Sequence, residues 1–484
     1  MSVRRLAAAE LEFGSIRTEF GLVSDFPDAA LAEAEHAVDA FSAVREDRVD
    51  LPFVTIDPPG SMDLDQALHL QRTASGFVVH YAIADLGAVV VPGGALDTEV
   101  RRRGQTYYLP DGSIPLHPPV LSAGNASLLP EQDRPVALWT IECDERAQPQ
   151  TWSVRRARVR SVARLDYAGV QADADAGRLH PSIAALPEFG ALRLAAAAHR
   201  GAIELNLPEQ VVIRDGDAGW RLELEPRTAA DEWNAQVSLL TGMCAAALMV
   251  SAELGLLRTM PPPDAAALAG IRRAAKALGL DWPADVPVGR LLAALPTGAP
   301  TTLAVMSEAT GLLRGAGYTV LDGSLPEQVS QSAIGAPYTH VTAPLRRLTD
   351  RFTTEICLAL SAATPVPDWV RAGLSEVAEV MRYTDALAGK VERACVDRAE
   401  ATVLADRVGS DFPAVVLRGK DGRRDAEVFV ADPPVVARCD GDPPDGAQLT
   451  VRLQTADIDT RTVRFAYRPA DSAVPAEIND STAG

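Results

Sequence analysis

The sequence predicts an α+β protein of several domains, and three observations carry that reading. Its 484 residues exceed what one core usually accommodates, at about 100 to 200 residues per domain. Short β-rich runs punctuated by Gly and Pro begin at Leu51, give way after about residue 185 to long helical patterns, and return from about 411 to 470. With 47% hydrophobic and 23% charged residues, the composition excludes a disordered or fibrous chain.

Residues 1–50 read as a short helical module. Pro27 and Asp28 open the run ALAEAEHAVDAF, apolar on one face and acidic on the other. A cap packed on the next domain and a helix-turn-helix-like device are the two readings. The first residues hold two arginines, then Glu10 and Glu12 before any long apolar run, so no secretion signal is expected.

Strands follow at LPFVTID, ALHLQ and FVVHYAIADL, and then around YYLP, RPVALWTIECD and TWSVRRARVRSV. Helices are expected at 187–202, 228–257, 264–279, 302–315, 350–363 and 370–407. The stretch Val237–Leu257 is long enough to span a bilayer, but Glu253 and the polar residues Asp231, Glu232, Asn234 and Gln236 before it favour a buried core helix. Five short strands between 411 and 470 suit a small OB-type barrel. The polar tail 471–484 is expected to be flexible.

Five widely spaced cysteines form no zinc or disulfide pattern, which points to a reducing cytoplasm. The formal net charge of -19 speaks against nucleic acid as a partner. Locally the sign reverses: residues 154–164 hold five arginines and no acid, Arg101 to Arg103 are consecutive, and Arg418, Lys420, Arg423 and Arg424 cluster in the last module. Such stripes are expected to line a path for a polyanion.

The sharpest local feature is TIDPPGSMDLDQAL, residues 55–68. Asp57 ends a β-branched run, and Pro58, Pro59 and Gly60 turn the chain at once. Asp63 and Asp65, two apart at the start of the next extended run, leave the same face. The three carboxylates can converge on a hard cation, or they can belong to a solvated turn.

The rest of the chain resembles the RNB-domain exoribonucleases, the ribonuclease II and ribonuclease R family. The aspartate motif is similar to the family's four-aspartate spacing. HYAIADLGAVV (80–90), residues 103–138, GAIELNLPE (201–209), YTHVTAPLRRLTD (338–350) and VERACVDRAE (391–400) resemble further family blocks, in family order. The resemblance implies a mixed α/β RNB catalytic domain over 51–410 and an S1-like OB domain over 411–470. It also implies metal ligation by Asp57, Asp63 and Asp65, with Asp63 against the terminal ribose and Asp65 essential to catalysis. Gln66 stands where the family carries its fourth aspartate; it can ligate through oxygen but adds no charge. Arg346 matches the phosphate-clamping arginine, with Pro344 suited to a first helical position. Tyr108 and Tyr167 match tyrosines at the nucleotide, Glu392 a glutamate near the centre, and Arg347 is a further RNA-binding candidate.

The function implied is processive 3′-to-5′ hydrolysis of single-stranded RNA to nucleoside 5′-monophosphates with Mg²⁺, or Mn²⁺, by a cytoplasmic monomer with no membrane or obligate protein partner. A catalytically weak RNA-binding relative, favoured by Gln66, is the alternative; a DNA exonuclease or general metal phosphodiesterase is a third.

Overall fold

In the computed structural model, which describes residues 11–205, 209–214, 220–225, 227–283, 285–296, 300–422 and 424–468, six strands form one sheet. Their order is Glu46–Asp47, Pro149–Leu165, Phe53–Ile56, Gln66–Thr73, Gly76–Ala84 and Asp133–Cys143. The long strand Pro149–Leu165 pairs parallel with Phe53–Ile56 and antiparallel with Asp133–Cys143, so the sheet curls back on itself. Phe53–Ile56 is buried along its whole length, which explains why its residues do not alternate between exposed and apolar positions. Tyr81, Trp139 and Phe77 fill the core that this sheet shares with the helices.

The helical region also matches the α+β expectation. Helix Ala229–Ala252 starts with a capping box between Thr228 and Asp231 and packs against Leu186–Arg200 and Leu348–Ser361. It is the one helix among the described residues long and apolar enough to cross a bilayer, yet Val237, Leu240, Ala245 and Met249 are buried inside the protein. The predicted helix 228–257 overran its end. Glu253 adopts a left-handed φ of 50°, and Leu254–Thr259 becomes a strand paired with Gly317–Asp322. The periodicity also missed helices Ala95–Arg103 and Tyr167–Asp175.

The strands Asp411–Arg418, Ala426–Ala431, Pro434–Asp440, Gln448–Asp457 and Thr462–Ala466 close into the expected five-stranded barrel. Its core is continuous with the 37-residue helix Asp368–Leu404, where Val391, Cys395 and Leu404 join Phe412, Val428 and Phe465. Residues 11–50 are not a module with a core of their own. Phe13 and Ile16 belong to the barrel core and Ala30 and Ala34 to the main one, because each short helix is too small to bury its apolar face alone. Glu33 docks this segment by capping helix Ala95–Arg103, accepting from the Ala95 and Leu96 N–H groups at 2.7 and 2.9 Å. The 471–484 tail, Arg423 and residues 206–208 of the 201–209 block lie outside the described residues. All five cysteines are free and buried.

The arginine stripes need correcting. Within Pro149–Leu165, Arg156 pairs with Asp85 and Glu355, while Arg158 and Arg160 share Asp133. Arg101 pairs with Asp97 and Glu376, and Arg102 and Arg103 both hold Glu99. These side chains are spent on carboxylates brought up by the fold, so they do not line a path as free cations; of the same stripe, Arg155 and Arg164 pair with no carboxylate among the described residues, and Arg164 donates to the Ser61 carbonyl.

Candidate active site

The motif 55–68 is held by the sheet on one side and by a serine on the other. Asp57 donates its N–H to the Leu165 carbonyl, and the chain turns through Gly60 at φ 84°. Ser127, fully buried, accepts from the Leu64 N–H at 3.0 Å and donates to the Met62 carbonyl at 2.6 Å. Leu64 therefore points into the core. The strand starts at Gln66, so Asp63 and Asp65 sit just ahead of it rather than within it.

Opposite this motif lies the loop 342–347, which precedes helix Leu348–Ser361. Pro344 is in a turn and not at the first helical position. The cause is Asp350, which accepts from the Ala343 N–H at 2.7 Å and pulls the loop back over the helix start. The loop also bonds to the segment before the Tyr107–Leu109 strand, from the Thr106 N–H to the Arg346 carbonyl.

Two carboxylates face two consecutive arginines here. Arg347 grips Asp350 with two hydrogen bonds, Nε to Oδ2 at 3.0 Å and Nη2 to Oδ1 at 2.8 Å. Arg346 keeps 46% of its side chain exposed and only approaches Asp65, Nε to Oδ2 at 3.4 Å. Asp65 Oδ1 accepts from the Leu345 N–H at 2.7 Å. Burial pushes Asp65 up to about 8; Arg346 and the Leu345 bond oppose the rise, and the charges of Asp350 and Asp63 add to it. Burial likewise pushes Asp57 up to about 6, against Arg346 and with Asp63. Asp57 Oδ2 is buried with no hydrogen-bond partner.

That orphan oxygen and the two desolvated acids fit a divalent cation. Among the described residues no three acidic, His or Cys side chains are gathered closely enough to hold a metal ion by themselves, so the expected convergence of Asp57, Asp63 and Asp65 does not form a complete ligand set. Mg²⁺ does not require one, since one or two carboxylates plus substrate phosphate and water are its usual partners. Gln66 donates its Nε2 hydrogen to the Thr342 carbonyl at 2.5 Å, which commits the amide nitrogen to the arginine loop and leaves only the oxygen for a ligand.

Tyr108 projects from its strand while Tyr107 is buried, as alternation requires, and its hydroxyl donates to Asp63 Oδ2 at 3.2 Å. Tyr167 opens its helix behind the cap Asp166 and accepts from Asn234 Nδ2 at 3.4 Å. Gln66, Tyr167, Asn234, Thr342 and Arg346 line a cavity of about 700 Å³. Arg347 lines it too, with its guanidinium already occupied by Asp350.

Glu392 is not brought here. It lines a separate cavity of about 820 Å³ between the long helix and the barrel, with Arg393, Asp397, Arg461 and Arg464. Reading by residue type missed Thr342, which contributes a carbonyl, and Ser127; neither leaves a signal in side-chain chemistry. Asp350, at the end of the 338–350 block, pairs with Arg347 and not with Arg346.

A family profile for the RNB domain matches residues 45–360, and one for the RNase II-type exonuclease C-terminal S1 domain matches 410–468. Ribonuclease R of Chlamydia trachomatis is 27% identical over 364 residues, 72% of this chain and 51% of that protein. Ribonuclease R of Escherichia coli is 30% identical over 329 residues, 65% of this chain and 40% of that protein. The chain thus spans about half, or less, of the length of these relatives. The apo form of Mycoplasma genitalium RNase R superposes with a TM-score of 0.83 at 19% identity, covering 94% of this chain and 77% of that one.

Proposed function

The chain belongs to the RNB-domain family, whose nucleases depend on divalent metal, and on that premise we propose that it hydrolyses single-stranded RNA processively from the 3′ end, releasing nucleoside 5′-monophosphates. The observation that carries this reading is the half-exposed Arg346, which approaches the buried Asp65 at 3.4 Å and lines a cavity of about 700 Å³ together with Gln66 and Tyr167.

Asp57 and Asp65 would hold Mg²⁺, or Mn²⁺, with Asp63 beside them. When bound, the ion supplies an acidified water and neutralises charge on the phosphorus oxygens. The chain's own groups do the rest. Arg346 can turn its guanidinium from Asp65 to the scissile phosphate, held in place by the loop's bonds to Asp350, Thr106 and Gln66. Tyr108 offers an exposed ring for stacking on a base, and Asp63, which accepts from Tyr108, would also accept from a ribose hydroxyl. Accepting from the 2′-hydroxyl would discriminate against DNA. A cytoplasmic monomer without a protein partner completes the proposal.

The test is Asp65→Asn with end-labelled single-stranded RNA and Mg²⁺. Asparagine keeps an acceptor for the Leu345 N–H but removes the charge, so mononucleotide release should fall on the order of 10³-fold with folding intact. A variant as active as the parent would overturn the site. Equal cleavage of matched deoxy and ribo oligomers would favour a general phosphodiesterase instead.

A further inference from the structure

The arginine cluster of the barrel lies apart from the active site, and its ion pairs, at 3.3 to 4.0 Å, are long. Strand Asp411–Arg418 packs along helix Pro300–Ala309, and the seam between them is tight. The barrel loop before strand Gln448–Asp457 also comes close to the end of helix Ala265–Ala277: a Cβ on Gly446 would lie 1.8 Å from Leu278 Cδ2. A pocket of about 180 Å³ opens in this seam, with Arg273, Arg314, Arg418, Arg424, Glu308 and Thr310 among its lining.

Two of these arginines fold over glycines. Arg273 Nη2 and Arg314 Nη2 each lie 3.9 Å from where a Cβ of Gly270 or Gly311 would sit, and all four residues line the pocket. Four cations in the lining face one carboxylate, Glu308, which is 3.5 Å from Arg418 and 4.0 Å from Arg424. Glu427 at 3.5 Å and Asp421 at 3.3 Å balance those two arginines from outside the pocket. These pairs are long beside the 2.8 Å ion pair of Arg347 with Asp350. Among the described residues no carboxylate pairs with Arg273 or Arg314, and Arg418 Nε is buried without a partner. The pocket therefore carries excess positive charge, with guanidinium forks that suit tetrahedral oxyanions.

We propose that this seam pocket binds a phosphate group, either from the backbone of an RNA strand or from a free inorganic polyphosphate. The inference does not depend on hydrolysis at the other site.

The probe is pyrophosphate, titrated calorimetrically into the full chain in metal-free buffer. The double variant Arg273→Met/Arg314→Met changes two exposed side chains, and Arg424→Met is an independent second variant; melting in phosphate-free buffer checks that both fold. Removing each charge-assisted bond should weaken pyrophosphate about tenfold, whereas Arg346→Met should leave this binding event in place. If the double variant and Arg424→Met both titrate like the parent, the proposal is overturned. Single-stranded RNA, measured on Asp65→Asn at several salt concentrations, then separates the sources. A backbone phosphate predicts weaker RNA binding and a salt slope reduced by about 0.7 for each phosphate no longer neutralised. Unchanged RNA binding without pyrophosphate binding assigns the pocket to the free anion.

Discussion

Asp350 and Asp65 are both buried, and the same short loop supplies both with donors, yet it treats them oppositely. Asp350 receives the Ala343 N–H and two bonds from Arg347. Asp65 receives the Leu345 N–H and only a 3.4 Å approach from Arg346. A fully satisfied carboxylate fixes the loop. An under-satisfied one is held ready for a cation, at the expense of its own charged form. The same contrast separates Asp57 and Asp65 from Asp97, whose buried carboxylate is held below the usual range by Arg351, the Gly93 N–H and Arg101 against the opposing effect of burial.

Asp65→Asn has the largest expected effect on rate. Arg346→Met comes next: removing a donor to developing charge should lower turnover about 10²-fold, with KM for RNA changed far less. Arg347→Met should break the comparison from the other side. It leaves Asp350 buried without its cation, a loss of about 3 to 5 kcal/mol, read as a lower urea midpoint at an unchanged m-value. If Arg347→Met were stable and inactive while Arg346→Met were unstable, the two roles would be exchanged.

Gln66 sharpens the contrast further. Its amide donates to the Thr342 carbonyl, a bond an aspartate at this position cannot form when ionised. Gln66→Asp should therefore loosen residues 342–347, seen as faster amide hydrogen exchange, while the added charge tightens Mn²⁺ by about tenfold. Tighter metal with an unloosened loop would show that the amide is not what holds it.

The layers of the fold were legible because alternation and Gly/Pro punctuation are local. The strands of the curled sheet, the long helices and the five-stranded barrel all follow from them. The aspartate motif was legible as well, since three aspartates lie within nine residues, but the fold does not gather all three into one ligand set. What could not be read were pairings set by the tertiary fold. Arg346 and Arg347 are the same residue type in adjacent positions, and only a loop 280 residues from Asp65 in sequence decides which arginine is structural. Arg156, Arg158 and Arg160 looked free because their partners, Asp85, Asp133 and Glu355 among them, come from other elements. Glu392 sits on a helix whose rotation about its axis local sequence does not specify, and it faces the barrel cavity.

Glu400 offers the smallest test of the same idea, because it is buried and no arginine among the described residues forms an ion pair with it. It accepts from Gln210 Nε2 at 2.8 Å and from the Val436 N–H at 3.2 Å, where the long helix meets the barrel. Burial pushes it up to about 7 from an ordinary 4.5; the two hydrogen bonds oppose this and the charge of Asp397 adds to it. The folded state therefore holds this proton more tightly than the unfolded chain. The stability it contributes is complete below about 4.5 and is lost as pH rises through 7. Glu400→Gln keeps an oxygen for both donors without the charge. Between pH 5 and 7.5 the parent should lose about one or two degrees of melting temperature that the variant retains. Parallel melting curves would mean that the seam between helix and barrel relaxes to hydrate the carboxylate, and that burial alone does not set its charge.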